Sequence, residues 1–172
     1  MSHFSWTGRA ASTLSGLMVL FVAGCGDPIK VVRVTGNVTV GGSEPFRNGT
    51  VIFVPKETTK TLGGSAMTDD NGDFVLQHAS HTRTGIEPGD YTVCFSLFQM
   101  PDGSPLADQT HEPNPKTPAQ LGAVQFVPRE FNRPDSTQYP TTVPPSGGDF
   151  AFDLPELSPQ KPPARPGGKR KR

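Results

Sequence analysis

Two histidines of this chain have a spacing that can bind a metal ion. His78 and His81 are three residues apart, and on a helix this spacing places both rings on one face. The pair falls between predicted strands, however, and zinc needs at least three protein ligands. A solvated polar loop is therefore the simpler interpretation of this pair.

An acidic turn a few residues earlier has some features of a calcium loop. Asp69, Asn71 and Asp73 alternate along it. An EF-hand also requires Gly at its sixth position and Glu at its twelfth, and here those positions hold Phe74 and Ser80. A tight hairpin turn explains the same residues without a metal, because Asn and Gly tolerate positive φ angles.

The sequence shows no nucleophilic or phosphate-binding motif. Cys94 would act as a nucleophile only beside a histidine that lowers the pKa of its thiol, and in the middle of a strand it is expected to be packed and inert. No G-x-S-x-G, phosphate-loop or H-E-x-x-H pattern is present. The sequence therefore predicts no catalytic residue, no metal site and no cofactor, and we expect that the chain is not an enzyme.

Cys25 is the residue to which the sequence assigns a chemical role. Arg9 gives the start of the chain a positive charge, residues 14–22 are mostly apolar, and two small residues precede the cysteine. This order is typical of a cleaved export signal, and the apolar run is too short to cross a hydrocarbon core of about 30 Å as a helix. Residues 22–25, Val-Ala-Gly-Cys, resemble the lipobox of bacterial lipoproteins.

This resemblance implies that a diacylglyceryl group is added to the Cys25 thiol and that the chain is cut before it. Residues 1–24 are then the signal peptide, and residues 25–30 are the lipidated cysteine and a short tether. Membrane lipid becomes the expected partner, on the exported side of a bacterial membrane, in the periplasm or at the cell surface. An ordinary secretory signal that happens to precede a cysteine is the alternative.

Residues 31–154 are predicted to form short strands joined by turns. Alternating valines at residues 32–40 predict a half-buried strand, with Gly36 as a bulge or a close approach. The apolar run at residues 50–55 predicts a second strand, covered on both faces, and residues 65–68 and 73–76 predict a hairpin around the 69–72 turn.

The second half of this region has the same character. Tyr91, Val93, Phe95 and Leu97 predict a strand with one buried face, and residues 100–120 predict a long surface loop. Further strands are expected at residues 123–127, 138–143 and 150–154. The middle one contains Pro140 and is therefore predicted at a sheet edge. About seven strands with frequent turns are typical of a single antiparallel β-sandwich in an all-β fold.

Four motifs in this order resemble the carboxypeptidase regulatory-like domain. They are the Val-x-Gly-x-Val pattern in residues 34–40, Val-x-Phe-x-Pro at 51–55, Thr-Asp-x-x-Gly-x-Phe at 68–74 and Pro-Gly-x-Tyr-x-Val at 88–93. The resemblance implies a transthyretin-like (prealbumin-like) sandwich, and it implies no peptidase activity because this domain lacks the zinc site of the enzymes that it accompanies.

The last segment, residues 155–172, contains five prolines and six Lys or Arg against one Glu. Such a segment buries too little apolar surface to fold and is predicted to be disordered. The formal net charge of the whole chain is zero, so bulk charge favours no partner, and nucleic acid is not expected as one.

Three hypotheses about function follow from these features. The first is a membrane-anchored envelope lipoprotein whose sandwich is a non-catalytic structural or binding module for an unidentified envelope protein or polymer. The second is an accessory subunit of an envelope enzyme or transport complex, with the 100–120 loop as its contact surface. The third is a metal-binding or hydrolytic protein.

Overall fold

A computed structural model describes residues 30–57, 61–107, 109, 111–137 and 139–160. The strands of this part are β1 (Val34–Val40), β2 (Glu44–Pro45), β3 (Thr50–Pro55), β4 (Gly64–Met67), β5 (Asp73–Val75), β6 (Gln77–His78), β7 (Gly89–Ser96), β8 (Phe98–Gln99), β9 (Val124–Gln125), β10 (Pro140–Val143) and β11 (Gly148–Leu154). A 3-10 helix at Pro118–Leu121 and a one-turn helix α1 at Arg129–Asn132 are the helical elements among these residues. The predicted all-β class is confirmed, and seven of these strands have three or more residues.

The strands form two main sheets and one small ribbon. In the smaller sheet β11 pairs with one edge of β1, and β2 and β5 pair with its other edge. The larger sheet has the order β10-β7-β3-β4-β6, and β8 pairs with β9 in the ribbon. Pro140 begins β10 at the edge of the larger sheet, as predicted, where its missing N–H interrupts no ladder between two neighbours.

One pairing differs from the antiparallel expectation. β1 and β11 run parallel over their full length, from Val34 opposite Gly148 to Val40 opposite Leu154. The reason lies in the connection from β10, which belongs to the other sheet. The chain crosses between the sheets through a turn at residues 144–147 and enters the smaller sheet beside the start of β1, so both strands run in the same direction.

The predicted hairpin at residues 65–76 is wrong in its pairing. The turn at residues 69–72 is present, with Gly72 at a φ of 80°, but β4 pairs with β3 and β6 while β5 pairs with β1 in the other sheet. Thr68 explains why the arms separate. Its side chain is buried, its hydroxyl donates to the carbonyl of Phe46 and accepts the amide N–H of Gly49 at 3.0 Å, and these bonds turn the chain out of the larger sheet.

An aromatic core joins the faces of the two sheets. Phe53 of β3 contacts Phe150 and Phe152 of β11 at ring-centroid distances of 6.0 and 6.2 Å, and Phe95 of β7 lies 5.4 Å from Phe152. The inward face predicted for β7 is confirmed, because Tyr91, Val93, Phe95 and Leu97 are all buried. The outward face of β3 is only half-buried, so the expectation that both of its faces are covered is met only in part.

The sandwich has two poles, one at each end of β1. The N-terminal pole lies at the start of β1, where Val32 bridges to Ile86 and the amide of Gly148 bonds to the carbonyl of Arg33. The C-terminal pole lies at the ends of β1 and β11, where the amide of Gly41 bonds to the carbonyl of Leu154 at 2.8 Å. Since β1 and β11 are parallel, the chain enters the sandwich at one pole and leaves it at the other.

Gly36 is a close approach, as its place in the β1 pattern predicted. A Cβ atom on this residue would lie 2.1 Å from the backbone oxygen of Phe150 and 2.7 Å from the ring of Phe74. The absence of a side chain therefore allows β11 and the Phe74 ring to approach β1 together.

We expect Gly36→Ala to lower the free energy of unfolding by about 2 kcal/mol or more, because overpacking against backbone cannot be relieved by a rotamer change. Urea unfolding monitored by circular dichroism measures this loss. Gly148→Ala is the matched control on the partner strand, since its Cβ would meet only the Phe150 ring, at 3.1 Å. Equal stabilities of the two variants would contradict the prediction.

Candidate functional site

The structure places the two histidines in different environments. His78 lies on β6 and is buried, whereas His81 is exposed in the following loop at a φ of 56°. The solvated-loop interpretation therefore applies to His81 and is wrong for His78. No group of three or more His, Cys, Asp or Glu side chains is placed to hold a metal ion within the described part of the chain.

Both ring nitrogens of His78 are occupied by neighbouring side chains. Nε2 lies 2.8 Å from Oε1 of Glu87, and Nδ1 lies 2.6 Å from the hydroxyl of Ser80. The Ser80 amide N–H also donates to Nδ1, at 3.1 Å. Nδ1 is therefore an acceptor, which places the ring proton on Nε2, where it is donated to the Glu87 carboxylate.

Glu87 is the unusual member of this cluster. Its side chain is 9% exposed, and its second oxygen, Oε2, is buried without a hydrogen-bond partner in the described structure. A buried carboxylate with one unsatisfied oxygen is costly, so its attraction to His78 is the main compensation that the fold supplies.

Local backbone bonds hold the cluster in place. The pairing of β4 with β6 sets Gly64 opposite His78. The amide of His78 bonds to the carbonyl of Arg83, which closes the loop that carries Ser80. The hydroxyl of Tyr91 donates to the backbone carbonyl of Glu87 at 2.6 Å, and burial raises the pKa of this tyrosine. Rigid backbone thus positions all three members.

The connectivity from Ser80 through His78 to Glu87 joins a hydroxyl, a base and an orienting carboxylate. This is the general arrangement by which a serine is activated as a nucleophile. Sequence reasoning missed Ser80 and Glu87 because neither belongs to a motif. Glu87 directly precedes the motif at residues 88–93, and only the pairing of distant segments brings it to His78.

The acidic turn at residues 69–73 is closed by its own hydrogen bonds. One oxygen of Asp69 accepts the amide N–H groups of Asn71 and Asp73, at 2.8 and 2.9 Å. The Asp73 carboxylate accepts the side-chain N–H of Asn37 at 2.7 Å. These bonds account for the turn residues without a metal ion.

Cys94 is buried on β7 and is a free cysteine. Burial, with a smaller effect of the nearby Asp135 charge, raises the pKa of its thiol to about 11. The group is consequently a protonated thiol at neutral pH and a poor nucleophile.

A cleft of about 600 Å³ opens at the C-terminal pole. Its apolar floor is formed by Val40, Phe46, Leu97, Phe126 and Leu157, and its charged residues are Glu44, Arg47 and Glu156. Phe46 and Phe126 belong to the buried core, so this floor is continuous with the interior of the sandwich.

Residues 155–160 build one wall of this cleft. The amides of Ser158 and Gln160 bond to the carbonyls of Phe126 and Gln125, and Leu157 packs against the core. The ordered part of the chain therefore continues six residues beyond the boundary predicted at Leu154. The remainder of the basic tail, residues 161–172, lies outside the described residues.

Gln125 fixes the opposite wall. Its side-chain oxygen accepts three backbone N–H groups, those of Leu97, Phe126 and Val127. Its side-chain N–H donates to Ser96. The Gln125 side chain thus supplies hydrogen-bond partners to the backbone just after β7 and just after β9. The predicted loop at residues 100–120 begins near this point.

Comparisons with known proteins give this chain no relative. No family model matches it, and neither the curated proteins nor the solved structures contain a match. Cys25 and the signal segment fall outside the described residues, so their predicted roles remain predictions. Within the described segments, no helix has the length and apolar character needed to cross a membrane.

We expect His78→Ala to lower the free energy of unfolding by about 3–5 kcal/mol, because it leaves a buried carboxylate with no partner for either oxygen. Urea unfolding at pH 7 measures the loss. The matched control is His81→Asn, an exposed position whose positive φ asparagine tolerates, and we expect a change within about 0.5 kcal/mol there. A loss below about 1 kcal/mol for His78→Ala would show that the His78–Glu87 pair does not support the fold.

Proposed function

We propose that this protein is a lipid-anchored envelope protein whose sandwich is a non-catalytic binding module. The observation that carries the proposal is the Val-Ala-Gly-Cys sequence at residues 22–25, at the end of an export-type segment. The motifs shared with carboxypeptidase regulatory-like domains, which are not themselves catalytic, support the same function.

The fold indicates which pole of the sandwich would lie near the membrane. Val32, the first bridged residue, follows Cys25 by seven positions, which is at most about 25 Å of extended chain. A lipid on Cys25 would therefore keep the N-terminal pole close to the bilayer. The cleft lies at the opposite pole, which this tether does not hold against the membrane.

The cleft is a suitable binding site in size and composition. Its volume of about 600 Å³ falls within the range of ligand pockets, which is about 300–1,000 Å³. An apolar floor with a few charged groups at its rim is also the usual make-up of such sites. Two carboxylates against one guanidinium favour a ligand with an apolar body and a positive charge.

We expect the native protein to show the mass of residues 25–172 with added acyl chains, and to sediment with membranes. Cys25→Ser should lack both the acyl mass and the cut before residue 25. Cys94→Ala is the matched control, because it removes the other cysteine. It should leave the cut before residue 25, the added acyl mass and the sedimentation with membranes unchanged. A wild-type protein that is soluble, with a free Cys25 thiol in its intact mass, would contradict the anchor.

A second candidate function is supported by one observation, the Ser80–His78–Glu87 geometry. Ser80 is exposed while the base and the carboxylate are buried. In an acyl transfer the Ser80 oxygen would bond to the acyl carbon as its proton passes to Nδ1 of His78, and the leaving alcohol would take up that proton. Water would then attack the acyl carbon, His78 would take its proton and return a proton to the Ser80 oxygen, and the acid would leave. The geometry therefore supports a hydrolytic activity toward esters.

If Ser80 is activated in this way, a fluorophosphonate probe should form one covalent adduct on the wild-type protein. Ser80→Ala should abolish the adduct, and Glu87→Gln should slow its formation by roughly tenfold or more, because the base loses its orienting charge. Thr82→Ala is the control, since it removes a neighbouring hydroxyl and keeps the contact with His78. No adduct in the wild type, or an adduct that persists in Ser80→Ala, would exclude this candidate.

A further inference from the structure

The point where the chain enters the sandwich lies beside an apolar hollow. Val32 and Ile86 exchange backbone hydrogen bonds at 2.8 and 3.1 Å. A Cβ atom built on Gly64 would lie 2.5 Å from a methyl group of Ile86, so Gly64 adjoins this point. Gly64 also lines a hollow of about 190 Å³ on the larger sheet. The hollow and the first bridged residue therefore share one pole.

The lining of this hollow is apolar and open to solvent. It includes Ile52, Val54, Pro55, Leu62 and Ala79. Leu62 is 64% exposed, and it is one of the large hydrophobic side chains that the fold leaves outside its core. Moving Leu62 and the lining of the hollow into an apolar phase would remove apolar surface from water, which is favourable.

The charges of the two poles differ. Exposed cations at the N-terminal pole are Lys30, Arg33, Lys56 and Arg83, with the carboxylates of Glu57, Asp90 and Asp149 also exposed there. Among the described residues around the cleft and turns of the C-terminal pole, the exposed carboxylates of Glu44, Asp69, Asp70, Asp153 and Glu156 outnumber the cation Arg47. The described residues of the N-terminal pole therefore suit an anionic surface better than those of the C-terminal pole.

We propose that the N-terminal pole rests on the surface of an anionic bilayer, with Leu62 and the hollow at the level of the lipid headgroups. This inference rests on the proposed lipid anchor, and it adds an orientation that a flexible tether alone would not impose. Lys30, Lys56 and Arg83 would lie near the lipid phosphates. Apolar side chains at that depth are transferred out of water, so the sandwich would stand with its cleft away from the membrane.

Met67 supplies a matched position for a test of this orientation. It is 68% exposed, close to the 64% of Leu62, and it ends β4, the strand whose start adjoins the hollow. The two residues are separated by the length of β4, Gly64–Met67, which is roughly 10 Å. Only Leu62 lies at the proposed contact.

The experiment uses the lipidated full chain with Cys94→Ala, in which the lipid blocks the Cys25 thiol. Leu62→Cys and Met67→Cys are each labelled with an environment-sensitive fluorophore. The proteins are reconstituted in vesicles of phosphatidylethanolamine and phosphatidylglycerol with brominated acyl chains, which quench fluorophores at the membrane. We expect quenching at position 62 to exceed that at position 67 by at least threefold, and to fall at least twofold when neutral phosphatidylcholine replaces the phosphatidylglycerol.

Each other outcome overturns the inference in an identifiable way. Equal quenching at both positions, or stronger quenching at 67, in protein that sediments with the vesicles would refute the orientation and leave the anchor intact. Quenching at 62 that does not depend on phosphatidylglycerol would refute the role of the cations. Protein that remains soluble, with label also on Cys25, would refute the anchor and this inference together.

Discussion

The contact between Phe152 and the aromatic rings of the opposite sheet is the interaction on which the rest of this structure depends. Phe152 lies within 5.4–6.5 Å of five aromatic rings, from both sheets. Each such pair contributes about 0.5–1.5 kcal/mol beyond its buried area. Phe152 is brought to this position by β11, and β11 is held by the parallel ladder with β1, which in turn requires that residue 36 is glycine. Face-to-face packing of the sheets and the polarity of the poles both follow from this one arrangement.

The alternation of residues could be predicted because it depends only on which face of a strand is buried. Val34, Val38 and the inward residues of β7 were placed on the core face from period two alone, and Pro140 was placed at an edge because it lacks an N–H. The pairing partners of the strands could not be predicted in this way, because they depend on contacts between distant segments. The bonds of Thr68 that separate β4 from β5, and the crossing that makes β11 parallel to β1, leave no periodic signal.

The same distinction applies to the candidate sites. His78 was singled out for its spacing from His81, but its actual partners are Ser80 and Glu87, and the pairing of β6 with β4 decides this. The cleft was not predictable at all, because its floor comes from five separate segments and one wall from a stretch that composition assigns to a disordered tail. Residues 155–160 are ordered because the backbone carbonyls of Gln125 and Phe126 accept their amide N–H groups. The composition of a segment does not show whether such acceptors lie beside it in the fold.

The parallel pairing of β1 and β11 has a mechanical consequence. If the chain is held at Cys25 and pulled through the segment that follows Leu154, β1 is drawn from its start and β11 from its end, in opposite directions along a shared ladder. The load is then a shear that stretches all the hydrogen bonds between the two strands at once, rather than a peeling force that breaks them one after another. A tethered domain with this arrangement resists extension by the cooperative strength of the full seven-residue register, and its unfolding under force is governed by the rate at which that register ruptures.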